Sequence, residues 1–454
     1  MTLPLILITV IFCTGYLAIT LEHKLHIDKA ALALLTGILC WVVYITWSDS
    51  LVALTQLPEP FLISNSESDP AQIAKAWVGE HQILHFLADI AGILFFLMGA
   101  MTIVELVDSY DGFSIITRRI NATSTVNLLW IIGFITFFLS AALDNMTTAI
   151  LMVSLLRKLV RDQQQRLFFA GIVIIAANAG GAWSPIGDIT TTMLWIGHQI
   201  TTLHLIKTVL LPSLVCIMVP LLWLTVTLRG QTMAPVARDA TTNGNVTPTQ
   251  QRLIFLFGLG GLLSVPVFKT LTHLPPFMGM LLALAVLWVI SELIQPDKDE
   301  AMDSGTHIVA VLKRIDTPSI LFFLGILLAV SSLQATGLLD LAATFLNQRV
   351  GDLSTIIFLI GLLSSIVDNV PLVAAAMGMY DLQTFPQDHP MWPFLAFAAG
   401  TGGSCLIIGS AAGVAVMGME RISFFWYLRN ISGLALAGYC SGAIVYLFTA
   451  PITG

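Results

Sequence analysis

Charge is what this sequence has least of. Only 10% of its 454 residues are Asp, Glu, Lys or Arg, against about 25% in an ordinary soluble domain, and that scarcity excludes a water-soluble globular fold. Cysteine is scarce too. Cys13, Cys40, Cys216, Cys405 and Cys440 all lie inside apolar segments, with no CxxC spacing, so neither a disulfide framework nor a zinc site is expected. Clusters of basic residues are missing, which excludes nucleic acid as a partner, and the net charge of -7 comes from polar loops. No Lys or Arg precedes Lys24, so the opening MTLPLILITVIFCTGYLAIT lacks the basic start of a signal peptide and reads as a first span. The short alternating segments of outer-membrane barrels are absent as well. What remains is 56% hydrophobic with a mean hydropathy of +0.88, and its natural partner is the lipid bilayer. The fold class is an all-α polytopic membrane protein.

Apolar runs long enough to cross a bilayer fall near 3–21, 29–47, 83–107, 167–197, 203–228, 251–269, 277–295, 318–337, 392–418 and 430–449. Two further stretches, 126–160 and 354–380, read as pairs of short helices broken at LDN (143–145) and VDNVP (367–371), and each is expected to be a re-entrant hairpin. With both termini on the periplasmic side of a bacterial-type inner membrane, only Lys75, Lys207, Lys269 and Arg349 of the 20 Lys and Arg fall outside, as the positive-inside rule requires. Polar stretches remain at about 48–82, an acidic periplasmic loop, at 229–252, a linker, and at about 296–317, a cytoplasmic segment. Segments 108–120 and 338–349 read equally as amphipathic arms along the interface or as ordinary loops.

The two halves carry three landmarks in the same order. ILFFL occurs at 93–97 and 320–324, SAALDN (140–145) answers SSIVDN (364–369), and GGAWSPIG (180–187) answers GGSCLIIG (402–409). The expected domains are therefore a first repeat at 1–228, a cytoplasmic linker at 229–250 and a second repeat at 251–454. Each repeat holds five spans, a hairpin and a broken helix, and an odd number of crossings makes the second repeat inverted. Inverted repeats with helices broken near the midplane are a recurrent plan of secondary transporters, because irregular backbone is tolerated there only where it lines a site.

Asp144 and Asp368 occupy equivalent positions deep in apolar sequence, where a carboxylate costs about 2.5 to 3.5 kcal/mol on insertion scales. A hairpin-tip cap would explain one of them; the symmetry of two Asp-Asn pairs favours binding. Asn145 and Asn369 add amide oxygens, and Thr147, Thr148 and Ser364 add hydroxyls. Oxygen ligands of this kind suit a hard cation. Gly180, Gly181, Gly187, Gly402, Gly403 and Gly409 let backbone approach closely, for a site or for helix packing. Asn178, Ser184, Pro185, Asp188, Thr401, Ser404 and Ser410 lie in or beside the breaks. Asp188 reads equally as an N-cap and as a ligand. His85 and Asp89, four residues apart on one helix face, form either a pH-sensing pair or a pair at the outer interface.

At LSAALDNMTTAILMVSLLRKL (139–159), NAGGAWSPIGDITTTMLWIG (178–197), SSIVDNVPLVAAAMGMY (364–380) and GTGGSCLIIGSAAGVAVMGME (400–420) the chain resembles the NhaD-type sodium/proton antiporters of the ion transporter superfamily. The resemblance covers essentially the whole chain. It implies an elevator-like fold with a mobile transport domain beside a scaffold, often dimeric, and exchange of cytoplasmic Na+ or Li+ for external H+ without a cofactor. Na+ or Li+ is then held by Asp144, Asn145, Asp368 and Asn369 and released when the carboxylates are protonated. Dicarboxylate carriers of that superfamily have SNT-like tips where this chain has LDN and VDN, which ranks an anion, dicarboxylate or arsenite carrier second. An intramembrane aspartyl protease also needs two membrane aspartates, but PIGD (185–188) lacks the first glycine of that class's GxGD motif. The expectation is a transporter, not an enzyme.

Overall fold

The structure is a computed structural model and describes residues 2–65, 68–117, 124–160, 162–227, 246–294, 306–450 and 452. These are overwhelmingly helical. In chain order the principal helices are α1 (Leu3–Thr20), α2 (Lys29–Thr46), α3 (Ile83–Ser109), α4 (Thr125–Leu143), α5 (Asn145–Leu159), α6 (Gln163–Gly181), α7 (Ile189–Ile196) and α8 (Thr202–Thr227). The second half continues with α9 (Pro248–Thr272), α10 (Pro276–Ile294), α11 (Thr317–Ala335), α12 (Leu338–Arg349), α13 (Leu353–Leu363) and α14 (Asn369–Met379). It ends with α15 (Met391–Gly402), α16 (Ala411–Glu420), α17 (Phe424–Asn430) and α18 (Ser432–Thr449). Among the described residues nine helices are long and apolar enough to cross a bilayer, or ten if α12 and α13, bent by 115°, count as one span. The protein is a multi-pass membrane protein.

Two segments differ from their sequence reading: 48–82, and the first half of 126–160, which is no short helix, because the apolar run of α4 continues unbroken for 19 residues, enough to cross the bilayer. The polar stretch at 48–82 is not an open loop: short helices fill it, and from Pro70 to Ser109 the chain is one 40-residue helix with a π turn at Trp77–Gln82. Pro70 supplies the pre-set φ of a first turn, and Ala74 and Val78, four apart, give the polar segment a buried stripe that hydropathy averaging hides. Segment 338–349, read equally as an arm or a loop, is a helix, α12, whereas the described part of 108–120 (108–117) holds the end of α3 and one turn at Ser114–Thr117. Most of the expected linker (residues 228–245) and most of the expected cytoplasmic segment (295–305) lie outside the described residues.

The chain forms two compact units. One comprises residues 1–94, 316–351 and 374–384. Within it α2 packs on α11, where a Cβ at Gly37 would meet the Gly325 carbonyl oxygen at 2.5 Å. The indole N-H of Trp41 donates to the Leu328 carbonyl (2.9 Å), and the Tyr44 hydroxyl donates to Gln82 Oε1 (2.8 Å). His85 and Asp89 belong to this unit, with Nε2 and Oδ2 4.0 Å apart and side chains 76% and 71% exposed.

The other unit comprises 95–315, 352–373 and 385–454. Here α4 packs on α6, α13 on α15, α5 on α16 and α8 on α18. Three buried tyrosines tie it together by donating to backbone carbonyls: Tyr427 to Ser404 (2.8 Å), Tyr439 to Phe358 (2.8 Å) and Tyr446 to Pro390 (2.7 Å). In an apolar core a paired hydroxyl orients a helix without leaving a polar atom unmet.

Candidate functional site

Both Asp-Asn tips and both helix breaks lie in the second unit. Between α4 and α5 the chain reverses at Asp144, whose φ of +102° is a conformation that costs a non-glycine residue about 1–3 kcal/mol. Its carboxylate holds the turn, accepting from the Thr147 backbone N-H (2.8 Å) and hydroxyl (2.7 Å). Asp144 is thus the N-cap of α5. Asp368 stands before α14 in the matching place, and the Val370 N-H lies 3.5 Å from its Oδ1.

The residues after these aspartates reach further. Asn145 donates its amide to Asp188 Oδ2 (2.7 Å) and to Asn178 Oδ1 (3.1 Å). Asn369 donates to the same Asp188 carboxylate (3.3 Å to Oδ2). Asn178 in turn donates to the hydroxyls of Ser404 and Ser410, both at 2.9 Å. Asp188 sits in the middle, 2% exposed, its Oδ1 also accepting from the Thr190 N-H and hydroxyl at 2.9 Å. It caps α7 and joins the two tips at once. Among the described residues every hydrogen-bond donor to it is neutral, and Asp144 and Asp368 both lie within electrostatic reach. These carboxylates have no basic group in the hydrogen-bond network described above; neutral donors and the N-terminus of α7 are what offset the charge of Asp188.

The other expected residues take distinct places. Ser364 donates to the Ala399 carbonyl (2.7 Å), just as Ser140 donates to the Ala177 carbonyl (2.6 Å), so each serine pins a hairpin helix to a broken helix. Thr401 back-bonds to the Phe397 carbonyl (2.6 Å), and the Pro185 carbonyl accepts from Thr192 (2.9 Å). The Ser184 hydroxyl accepts from the Ile186 N-H (3.4 Å). Thr148 is fully buried and its hydroxyl has no partner, leaving an oxygen free beside the Asp144 tip. Ser410 caps α16 through the Gly413 N-H (3.1 Å). His85 and Asp89 belong to the other unit.

The glycines mark crossings where no side chain fits. A Cβ on Gly180 would land on the Phe137 carbonyl oxygen, and one on Gly402 on the Gly361 carbonyl oxygen. Gly187 packs on Ser140 and Gly409 on Ser365, while Gly181 faces Gly187 and Gly403 faces Gly409 across each break. Gly402→Ala is therefore expected to force backbone apart and to destabilise by about 1–3 kcal/mol, as overpacking does. Gly260, whose Cβ would meet nothing within 4 Å, serves as the control. Thermal unfolding in detergent checks this: a lower Tm for Gly402→Ala and none for Gly260→Ala is the expected pair, and equal Tm values would refute the crossing.

Sequence reasoning missed Thr190, which the Asp-x-Thr pattern of an N-cap signals, and Tyr427, which nothing local signals. It also missed a buried ion cluster. Glu420, its side chain 1% exposed at the end of α16, binds Arg157 of α5 (Nε to Oε1, 2.7 Å) and Arg166 of α6 (Nε to Oε2, 2.7 Å).

A sequence model of the citrate transporter family matches residues 16–392, a range that includes both tips and the first break. Sodium/proton antiporter 2 of Arabidopsis thaliana is 43% identical over 96% of this chain and 98% of its own length. Sodium/proton antiporter 1 of the same plant is 46% identical over 96% of this chain and 71% of its own length. The Na(+)/H(+) antiporter NhaD of Vibrio cholerae is 30% identical over 96% and 90%. The chain belongs to the NhaD-type sodium/proton antiporters within that family. Mixed carboxylate, amide and hydroxyl oxygens are hard donors suited to an alkali cation. Among the described residues no group of three or more His, Cys, Asp or Glu is arranged to hold a metal ion, so a cation here would rely on amide and hydroxyl oxygens beside the carboxylates.

Proposed function

We propose that this protein exchanges cytoplasmic Na+ or Li+ for external H+ by alternating access, with cation and protons competing for one carboxylate site. The observation that carries the reading is Asp188, buried, capping a broken helix and held by the asparagines of both tips. Asp144 and Asp368 stand within its electrostatic reach, and Asn145, Asn369, Thr147 and Thr148 supply further oxygens. The names of the relatives point the same way. Na+ binds when the carboxylates are ionised and leaves when they are protonated, so the apparent Na+ affinity rises with pH until ionisation is complete. More than one proton per Na+ makes the exchange move charge, and three carboxylates permit that stoichiometry.

Matching contacts in the two halves support an inverted repeat: Ser140 with Ser364, Gly180 with Gly402 and Gly187 with Gly409 make equivalent contacts. In the proposed cycle the hairpins and broken helices move as an elevator-like transport domain in an inner membrane, both termini periplasmic, in a homodimer. A citrate or dicarboxylate carrier is the second reading, favoured by the family model's description and opposed by three carboxylates with neutral donors where an anion needs basic groups or free helix N-termini.

Everted membrane vesicles carrying a pH-sensitive dye decide between them. Na+ or Li+ added across a range of external pH is expected to dequench the dye, while K+, citrate and succinate leave it quenched. No response to any cation, with uptake of labelled citrate instead, would overturn the antiport.

A further inference from the structure

Apart from the acidic cluster, the second unit contains a cavity of about 620 Å³, within the size range of ligand pockets. Its walls include Phe138 and Ala142 of α4, Pro185 and Ile186 of the first helix break, Ile206 of α8 and Leu263 of α9. No charged side chain lines it, so it is not a place for the transported ion. Its polar groups are few, the Thr202 and Ser184 hydroxyls and the indole N-H of Trp183, so water, which needs two to four polar partners each, can occupy only their immediate surroundings. The Ser184 hydroxyl at its edge accepts from the Ile186 N-H (3.4 Å).

The position of the mouth identifies the occupant. Phe138 is 54% and Leu263 52% exposed, and both lie inside helices long and apolar enough to span the bilayer. An opening on that belt faces hydrocarbon, not water. We infer that this cavity is a lipid site, taking one acyl chain of a bilayer phospholipid. The assignment does not depend on which ion the protein carries. Its walls nevertheless belong to the transport machinery: Ala142 lies two residues before Asp144, and Ile186 two residues before Asp188. An acyl chain seated there packs against the segments that lead into Asp144 and Asp188, beside Trp183, Pro185 and Ile186 of the first break.

Photolabelling tests the site. The full chain, reconstituted in nanodiscs with a phosphatidylcholine bearing a diazirine on its acyl chain, is irradiated and its adducts are mapped by mass spectrometry. Adducts at Phe138, Ile206 and Leu263 are expected at several-fold the level found at Trp223, near the far end of α8, and at Phe448 of α18, which are 65% and 85% exposed and do not line the cavity. Leu263→Trp, and separately Leu259→Trp from the same wall, should abolish the enrichment at Phe138 and Ile206 while leaving Trp223 and Phe448 labelled as before. Uniform labelling of the apolar belt in the unmodified protein would overturn the assignment even if neither variant folds. Enrichment that survives both substitutions would overturn it too.

Discussion

Asp188→Asn is expected to abolish Na+-driven proton movement, lowering the transport rate by about 100-fold or more, which corresponds to roughly 2.7 kcal/mol in the barrier. The substitution keeps the volume and retains one oxygen, so the N-cap of α7 through Thr190 survives. What disappears is the negative charge to which both tips point. Asn145 and Asn369 donate to this carboxylate, and an amide in its place offers one acceptor where two oxygens now serve four donor groups. Neither Asp144 nor Asp368 is so placed: Asp144 spends its hydrogen bonds on Thr147. The pH dependence gives the sharper readout. In the unmodified protein the Na+ concentration for half-maximal dequenching should fall as pH rises, because ionised carboxylates bind Na+ and protonated ones do not. That slope should flatten in Asp188→Asn. Transport within two-fold of the unmodified protein, with an unchanged slope, would exclude Asp188 from the site and leave it as a cap.

The second large effect concerns stability. Glu420→Gln removes the one carboxylate shared by Arg157 and Arg166 and is expected to cost about 3 kcal/mol, the usual penalty for breaking a buried ion pair from one side. Arg166 is only 17% exposed, so its stranded charge is poorly relieved by solvent; Arg157, at 48%, recovers more. Arg166 also donates to the Val160 carbonyl (3.0 Å) and Arg157 to the Met419 carbonyl. The cluster therefore fastens the end of α5, the start of α6 and the end of α16, elements from both halves of the chain. Unfolding in detergent followed by circular dichroism should show a lower Tm for Glu420→Gln, partly restored in the double variant with Arg166→Gln because the stranded charge is gone. A Tm equal to that of the unmodified protein would mean that the cluster contributes nothing to holding these helices.

Much of the architecture is legible in the residues because the bilayer enforces a simple rule. An uninterrupted apolar run of sufficient length must be a helix there, since every backbone N-H and C=O has to be met within the segment. Hence α1, α2, α8, α10, α11 and α18 lie where hydropathy places them. The breaks are equally legible: Asp-Asn inside apolar sequence, and paired glycines, mark where helices stop, and the structure stops them at Asp144, between Gly181 and Ile189, and between Gly402 and Ala411. The segment at 48–82 was not legible, because a helix with one buried stripe and a polar remainder averages to a loop.

Sequence also determined which residue types gather in this protein, oxygen donors at two tips and two breaks, because each is costly in hydrocarbon and none has an apolar explanation. Only the tertiary structure decided which of them is central. Read along the chain, Asp144 and Asp368 are a symmetric pair and Asp188 an ambiguous cap; in three dimensions Asn145, 43 residues away, and Asn369, 181 residues away, both turn their amides onto Asp188. Glu420 met its arginines in the same manner, across separations of 263 and 254 residues. Hydropathy and helix breaking are local consequences of each segment's own composition, whereas hydrogen-bond partnership depends on how distant helices cross, and that is fixed by backbone contacts such as Gly402 on Gly361 that leave no periodic trace in the sequence.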